Sequence, residues 1–150
     1  MTTEAYVRDP RFEVHGVSIR WPGSERITWF AGINVKPNLD IDWRNTALLC
    51  HHTQFDGLIL AHHYGIVPKM YLDTMSMGRL LLGQDVSVSL ESLAKLFGLG
   101  TKTVPYDLFK GKHWHELSPA IQQAVAQGCC DDVALTWQLF CILMKGCDGV

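Results

Sequence analysis

A short apolar run that passes directly into a helical pattern occurs twice in this chain, and it constrains the fold more than any other feature. The runs are residues 46–51 and 70–73, and the helical patterns are residues 54–64 and 74–82. A short apolar run is typical of a buried strand, whereas the longer segments repeat apolar side chains at helical spacing. The sequence therefore predicts strands that lead into helices, as in a mixed α/β domain.

The amino-terminal part predicts a β-hairpin. Residues 12–20 alternate apolar and polar side chains, and residues 26–31 return as a second strand after a Trp-Pro-Gly-Ser turn. A polar segment, residues 34–45, predicts a loop before the first buried strand.

The carboxyl-terminal half predicts two further helices around an irregular stretch, residues 102–115. The first helix covers residues 89–97, with a serine at its cap and a glutamate in its first turn. The second covers residues 118–145 with a proline at its first position, and a break is expected near Gly128.

Composition predicts one domain, residues 1–150, with 47% hydrophobic and 19% charged residues. The longest apolar run is shorter than the ~20 residues of a membrane span, and the amino terminus has no secretory pattern. We therefore expect a cytoplasmic protein without membrane contact. A net charge of −2 excludes nucleic-acid binding by bulk positive charge. The five cysteines are odd in number and lack CxxC spacing, which predicts reduced thiols and no thiolate zinc site.

Two aspartates occupy positions where a carboxylate could bind a metal ion. Asp56 lies in the first turn of the helix after residues 46–51, where a helix-dipole or capping role is the simpler interpretation. Asp132 lies on or beside the apolar stripe of the last helix, unlike Asp131, and a carboxylate that faces a core requires a cation or hydrogen-bond donors. Paired acids are also what a site with two divalent ions about 4 Å apart requires for phosphoryl transfer.

Histidines and one basic loop leave further alternatives open. The seven histidines include the adjacent pairs 51–52 and 62–63, which could bind a transition metal but are favoured as surface or packing residues. Lys110 and Lys112 could contact phosphates while Trp114 stacks on a base, or Trp114 could be packed into the core.

Five ordered segments together resemble a known family. They are residues 9–14, 51–56, 71–75, 89–99 and 131–140. The pattern His51-x-x-x-Phe55-Asp56 resembles the second motif of the DEDD-type 3′→5′ exonuclease domain of family A-like phage and bacterial DNA polymerases. The segment that contains Asp131 and Asp132 resembles the third motif. The resemblance implies a ribonuclease-H-like mixed sheet flanked by helices.

The resemblance also assigns expected roles to individual residues. Asp56 and Asp132 would be catalytic ligands of Mg²⁺ or Mn²⁺, and Asp73 would be a structural acid at a strand end. Phe55 would pack beneath the site. The residues expected to contact single-stranded nucleic acid are Phe55, Lys110, Lys112 and Trp114.

The chain departs from the family pattern at three places. The first motif, Asp-x-Glu on the first strand, has no counterpart before Asp9. Gly128 occupies the position of a water-orienting tyrosine, and His52 that of an asparagine. Because positioning and charge stabilisation supply most of the catalysis in phosphoryl transfer, we expect weak or no activity from the chain alone.

Loss of the first strand would leave unpaired backbone groups in the middle of a sheet. Residues 1–7, a second copy of the chain or another protein could fill that position, so an oligomer or a protein complex is predicted.

Three functions follow. The first is a 3′→5′ exonuclease that hydrolyses ends of single-stranded DNA or RNA by a two-metal mechanism. The alternative is a catalytically inactive relic that binds nucleic acid or a protein partner. The third is a piece of a longer polymerase-like protein whose first motif lies upstream of Met1.

Overall fold

Helices and short strands alternate along the chain, which is mixed α/β as predicted. A computed structural model describes residues 1–101 and 104–148. In chain order the elements are α1 (Thr3–Arg8), β1 (Gly16–Arg20), β2 (Ile27–Ala31), α2 (Val35–Asn38), β3 (Ala47–Cys50), α3 (Thr53–Tyr64), β4 (Met70–Asp73), α4 (Thr74–Leu82), α5 (Leu90–Leu96), α6 (Tyr106–Phe109) and α7 (Pro119–Asp148). Residues 102–103, part of the segment expected to be irregular, lie outside the described residues.

The four strands form two separate pairs within the described residues. β1 and β2 are antiparallel, with Ser18 opposite Trp29, and β3 and β4 are parallel, with Cys50 opposite Asp73. Helix α3 connects the two parallel strands, which cannot be joined by a tight turn. The single ribonuclease-H-like sheet implied by the resemblance is therefore not confirmed.

Local chemistry sets several element boundaries where the sequence predicted them. The Asp73 carboxylate accepts a hydrogen bond from Met75 N at the start of α4, and Ser89 Oγ accepts one from Ser92 N at the start of α5. Gly65 ends α3 in the left-handed region at φ 65°. These caps satisfy backbone groups that a helix end leaves without an intrahelical partner.

The amino-terminal segment is a helix, so residues 1–7, one of the three candidates for the missing strand position, do not form a strand there. Thr2 caps α1 through its hydroxyl, and Val7 is fully buried. The His63 ring hydrogen-bonds Val7 O at 2.9 Å, which holds α1 against α3. Because Val7 is fully buried while α1 contacts α3, a strand conformation for this segment would cost the burial of that side chain.

Residues 34–45, predicted as a polar loop, contain helix α2 and part of the core. Val35 and Leu39 are buried at helical spacing and form a cluster with Leu60, which we call the hairpin-side cluster. The free energy gained by burying these two side chains holds the segment against the core, although most of its residues are polar.

Helix α7 is continuous from Pro119 to Asp148, so the predicted break near Gly128 is wrong. A Cβ at position 128 would lie 2.8 Å from Val104 Cα. Glycine costs a helix roughly 1 kcal/mol relative to alanine, but here it permits close backbone packing.

A second cluster, the helix-side cluster, joins α4, α5 and α7. Its buried members are Val88, Leu90, Leu93, Ala94, Leu135, Leu139 and Leu143. The four cysteines whose side chains are described have no disulfide bond, and Cys147 lies outside that set. None of the helices in residues 1–101 and 104–148 combines the length and apolar character needed to cross a bilayer.

Candidate functional site

The parallel strands β3 and β4 end side by side, at Cys50 and Asp73. Helix α3 begins three residues after Cys50, and α4 follows Asp73 directly. Ligands of open α/β sheets commonly bind beyond the carboxyl ends of parallel strands. A cavity of about 380 Å³ opens there and is lined by His52, Thr53, Gln54, Gly57, Leu58, Tyr71, Asp73, Met75 and Ser76.

Asp73 connects the starts of both helices. Its Oδ1 accepts hydrogen bonds from His52 N and Met75 N, both at 2.9 Å. Its Oδ2 accepts from Thr53 N and Thr53 Oγ1, both at 3.1 Å, and from Ser76 Oγ at 3.3 Å. Burial raises the pKa of Asp73, but these donors outweigh burial and hold the pKa below its ordinary value. This geometry is that of a structural carboxylate.

Asp56 lies in the first turn of α3, where its carboxylate accepts a hydrogen bond from the Cys50 thiol. Burial raises the pKa of Cys50 strongly, and the negative charges of Asp56 and Asp73 raise it further. The sulfur is therefore a protonated donor to Asp56, whereas a nucleophile or a metal ligand would need the thiolate.

Asp132 lies on α7 with its Oδ1 shielded from solvent. Its neighbour Asp131 accepts a hydrogen bond from Gln127 Nε2 at 2.9 Å on an exposed surface. These different environments agree with the prediction that Asp132, unlike Asp131, lies on or beside the apolar stripe of this helix.

The acids present do not fit the two-ion centre that the resemblance implies. Within the described part of the chain, no three side chains of the histidine, cysteine, aspartate and glutamate types are grouped to hold a metal ion. Asp73 is engaged by donors from both helices, and Asp56 is bonded to Cys50. We therefore derive no hydrolytic step for this chain alone.

The position of the family's water-orienting tyrosine is closed by backbone. Gly128 lies against Val104, whose N and Cα would be 3.1 and 2.8 Å from an added Cβ. Because these are backbone atoms, a side chain there would require the 104 segment to move.

The two adjacent histidines after β3 have separate structural roles. The His51 ring bonds Thr74 Oγ1 at 2.7 Å and Val88 O at 2.9 Å. Since a carbonyl only accepts, the ring nitrogen Nε2 donates to Val88 O. His52 has φ 70°, and no other non-glycine residue in the described part of the chain has a positive φ. Asparagine adopts this left-handed conformation more readily than most residues.

The four residues expected to contact nucleic acid lie in different surroundings. Phe55 stacks with Tyr6 of α1, with ring centroids 6.4 Å apart. Trp114 is partly buried and packs against His15 at 5.6 Å and Trp29 at 5.7 Å between ring centroids. Lys110 and Lys112 are exposed.

Two hydrogen bonds that were not predicted from the sequence join the loop containing Trp114 to the segment before β1. Glu13 Oε2 lies 2.6 Å from His113 Nδ1, and Glu13 Oε1 accepts from Trp114 N at 3.2 Å. Burial raises the pKa of Glu13, whereas hydrogen bonds from His113 and Trp114 lower it, and the net pKa is below the ordinary value. The partners are about a hundred positions apart, so no local pattern could reveal them.

Comparison of the chain with protein-family models, with curated proteins and with solved structures gave no match.

Proposed function

We propose that this chain is a non-catalytic binding domain with exonuclease-like sequence features, and that it acts together with another polypeptide. The proposal rests on one observation: the acids at the carboxyl ends of β3 and β4 already accept hydrogen bonds from groups of the protein. Asp73 joins two helix starts, and Asp56 accepts from Cys50.

Two further features support binding over catalysis by the isolated chain. The backbone of Val104 closes the position at Gly128 where an aromatic side chain would orient water. Within residues 1–101 and 104–148 the strands form two pairs, each with outer edges, and sheet edges pair readily with another chain. Protein binding is favoured over nucleic-acid binding because the Trp114 ring already contacts His15 and Trp29 and the net charge is −2.

The test is a nuclease assay on a 5′-labelled single-stranded oligonucleotide with Mg²⁺ or Mn²⁺. We expect no cleavage by folded wild-type chain. Asp56→Asn and Asp132→Ala are the site variants, Asp131→Ala is the matched surface control, and a chelator is the metal control. A 3′-end ladder that disappears with chelator and in both site variants, but persists in Asp131→Ala, would overturn the proposal.

Metal-dependent exonuclease activity is the second candidate. It is favoured by the position of Asp56, which follows the carboxyl end of a parallel strand, the common location of sites in α/β folds. The ladder described above is its expected result, with single-stranded DNA and RNA compared as substrates.

A further inference from the structure

The cavity at the carboxyl ends of β3 and β4 has the size of a small-molecule site. Its volume is about 380 Å³, within the roughly 300–1,000 Å³ of known ligand cavities. The start of α3, the strand β4 and the first turn of α4 each supply part of its wall. A ligand there would contact elements whose relative positions are fixed, because the Asp73 carboxylate bonds the starts of both helices.

One wall of the cavity is aromatic and apolar. The Tyr71 ring lies across α3 at Gly57, where an added Cβ would be 3.0 Å from its Cε1 atom and 3.5 Å from its phenol oxygen. The absence of a side chain at position 57 therefore makes room for this ring. Tyr71 remains 43% exposed, and Leu58 and Met75 add apolar surface to the same cavity. A flat ring packs well on such a wall, in offset-stacked or edge-to-face contact with the tyrosine.

Three polar side chains that line the cavity have no hydrogen-bond partner among the described residues. They are the His52 ring, the Gln54 amide and the Tyr71 hydroxyl. Thr53 differs from them, since its hydroxyl donates to Asp73. His52 and Gln54 come from the start of α3, and Tyr71 comes from β4. A few polar groups from different elements, set in apolar surface, are what fixes the orientation of a ligand.

The charge at this edge of the sheet selects against anions. Besides burial, the negative charges of Asp56 and Asp73 raise the pKa of the Cys50 thiol, so their potential acts at the strand ends. The pKa of Asp73 is itself below its ordinary value, and this group is therefore charged at neutral pH. No lysine or arginine is among the described residues that line the cavity. A phosphate or carboxylate ligand would be repelled there, whereas an uncharged ligand would not.

We propose that this cavity binds an uncharged heteroaromatic molecule of one or two fused rings, with hydrogen-bond donors and acceptors on the edge of the ring system. The rings pack against Tyr71, and their edge bonds the Gln54 amide and the His52 ring. This inference deepens the proposed binding function and rests on it, because an exonuclease site at this position would have to accept an anionic phosphodiester.

The probe is 7-azaindole, an uncharged pair of fused rings with an N–H donor and a ring-nitrogen acceptor side by side. This edge matches the carbonyl and the NH₂ group of the Gln54 amide. Its N-methyl derivative, which keeps the rings but lacks the donor, is the control for hydrogen bonding. Its carboxylate derivative, which adds a negative charge, is the control for electrostatics. Binding is followed by the shifts of backbone amide signals in heteronuclear NMR spectra of the full chain, up to the solubility limit of each compound.

We expect 7-azaindole to shift the amide signals of residues 52–58 and 71–76 saturably. The signals of residues 16–20 and 27–31, which form the separate hairpin, should not move. The N-methyl derivative should bind roughly three- to tenfold more weakly, because one hydrogen bond is lost. The carboxylate derivative should also bind more weakly than 7-azaindole.

Two variants test the cavity itself. Tyr71→Ala should weaken binding roughly tenfold, because the aromatic contact is lost, and Gln54→Ala should weaken it roughly three- to tenfold. Gln54 is exposed, so its variant keeps the test open even if Tyr71→Ala disturbs the fold. Tyr106→Ala is the matched control, since Tyr106 is 50% exposed and lies outside the cavity lining, and it should bind as wild type does. The amide spectrum shows whether each variant is folded.

Four results would each overturn the inference. They are the absence of a saturable shift, shifts confined to residues outside 52–58 and 71–76, equal or tighter binding of either derivative, and wild-type binding by the folded cavity variants. The nuclease assay is independent of these readings. Cleavage that disappears in the site variants refutes the proposed function, whereas absence of both cleavage and 7-azaindole binding refutes the ligand site alone.

Discussion

Replacement of Asp73 by asparagine tests whether this carboxylate joins the starts of α3 and α4. In Asp73→Asn, one oxygen can still accept from His52 N and Met75 N, which both donate at 2.9 Å in the wild type. The amide group then faces Thr53 N, which donates at 3.1 Å in the wild type, so two donors oppose each other.

The expected destabilisation follows from these contacts. A half-buried backbone N–H that loses its acceptor costs about 1–3 kcal/mol, and a hydrogen bond to a charged group contributes about 1.5–3 kcal/mol. The hydroxyls of Thr53 and Ser76 can rotate to accept from the new amide, which offsets part of the loss. We therefore expect Asp73→Asn to lower the free energy of unfolding by about 2–4 kcal/mol.

The assay is urea unfolding of wild type and variant, monitored by circular dichroism with the slope compared between them. Asp131→Asn is the matched control, since it alters an exposed hydrogen bond to Gln127 and should change stability by less than about 0.5 kcal/mol. A loss below about 1 kcal/mol for Asp73→Asn, with an unchanged slope, would refute the structural role of Asp73.

The same carboxylate predicts a pH dependence. The pKa of Asp73 is lowered from its ordinary value of 3.8, so the charged form is stabilised in the folded state. Its contribution is complete above pH 3.8 and is lost as the pH falls from there through the lower folded pKa. The stability difference between wild type and Asp73→Asn should therefore shrink below that pH, and a constant difference down to pH about 2 would contradict this assignment.

Two further substitutions test the backbone features of the fold. Gly128→Ala should lower the free energy of unfolding by about 1–3 kcal/mol, because its Cβ would lie 2.8 Å from Val104 Cα. Gly146→Ala should not lower it, because its Cβ would meet only the flexible end of Leu81. Chemical denaturation of both variants checks the contrast, and equal effects would contradict it. His52→Asn should raise the free energy of unfolding by a few tenths to about 1 kcal/mol, because asparagine tolerates φ 70° better; a lower melting temperature would contradict it.

Several elements could be predicted from the sequence because their signals are local. Strand β4 and helix α4 have the predicted bounds, Met70–Asp73 and Thr74–Leu82. An apolar run and apolar side chains at helical spacing lie within these residues.

Other elements could not be predicted because distant contacts decide them. Val7 is fully buried and its carbonyl is bonded to His63 of α3, and both features favour a helix for the amino-terminal segment. The close approach of Val104 makes Gly128 a packing residue inside a continuous helix. Glu13 and His113 are a hundred positions apart, and no local pattern connects them.

The sequence by itself determined the mixed α/β class, the order of most elements and the serine cap that starts α5. Only the tertiary structure decided that the strands of the described residues form two pairs, that Asp73 joins two helix starts, and that Asp56 accepts a hydrogen bond from Cys50. The physical reason is that helical spacing and capping act over a few residues. Strand pairing, burial of a carboxylate and close backbone packing instead depend on groups that only folding brings together.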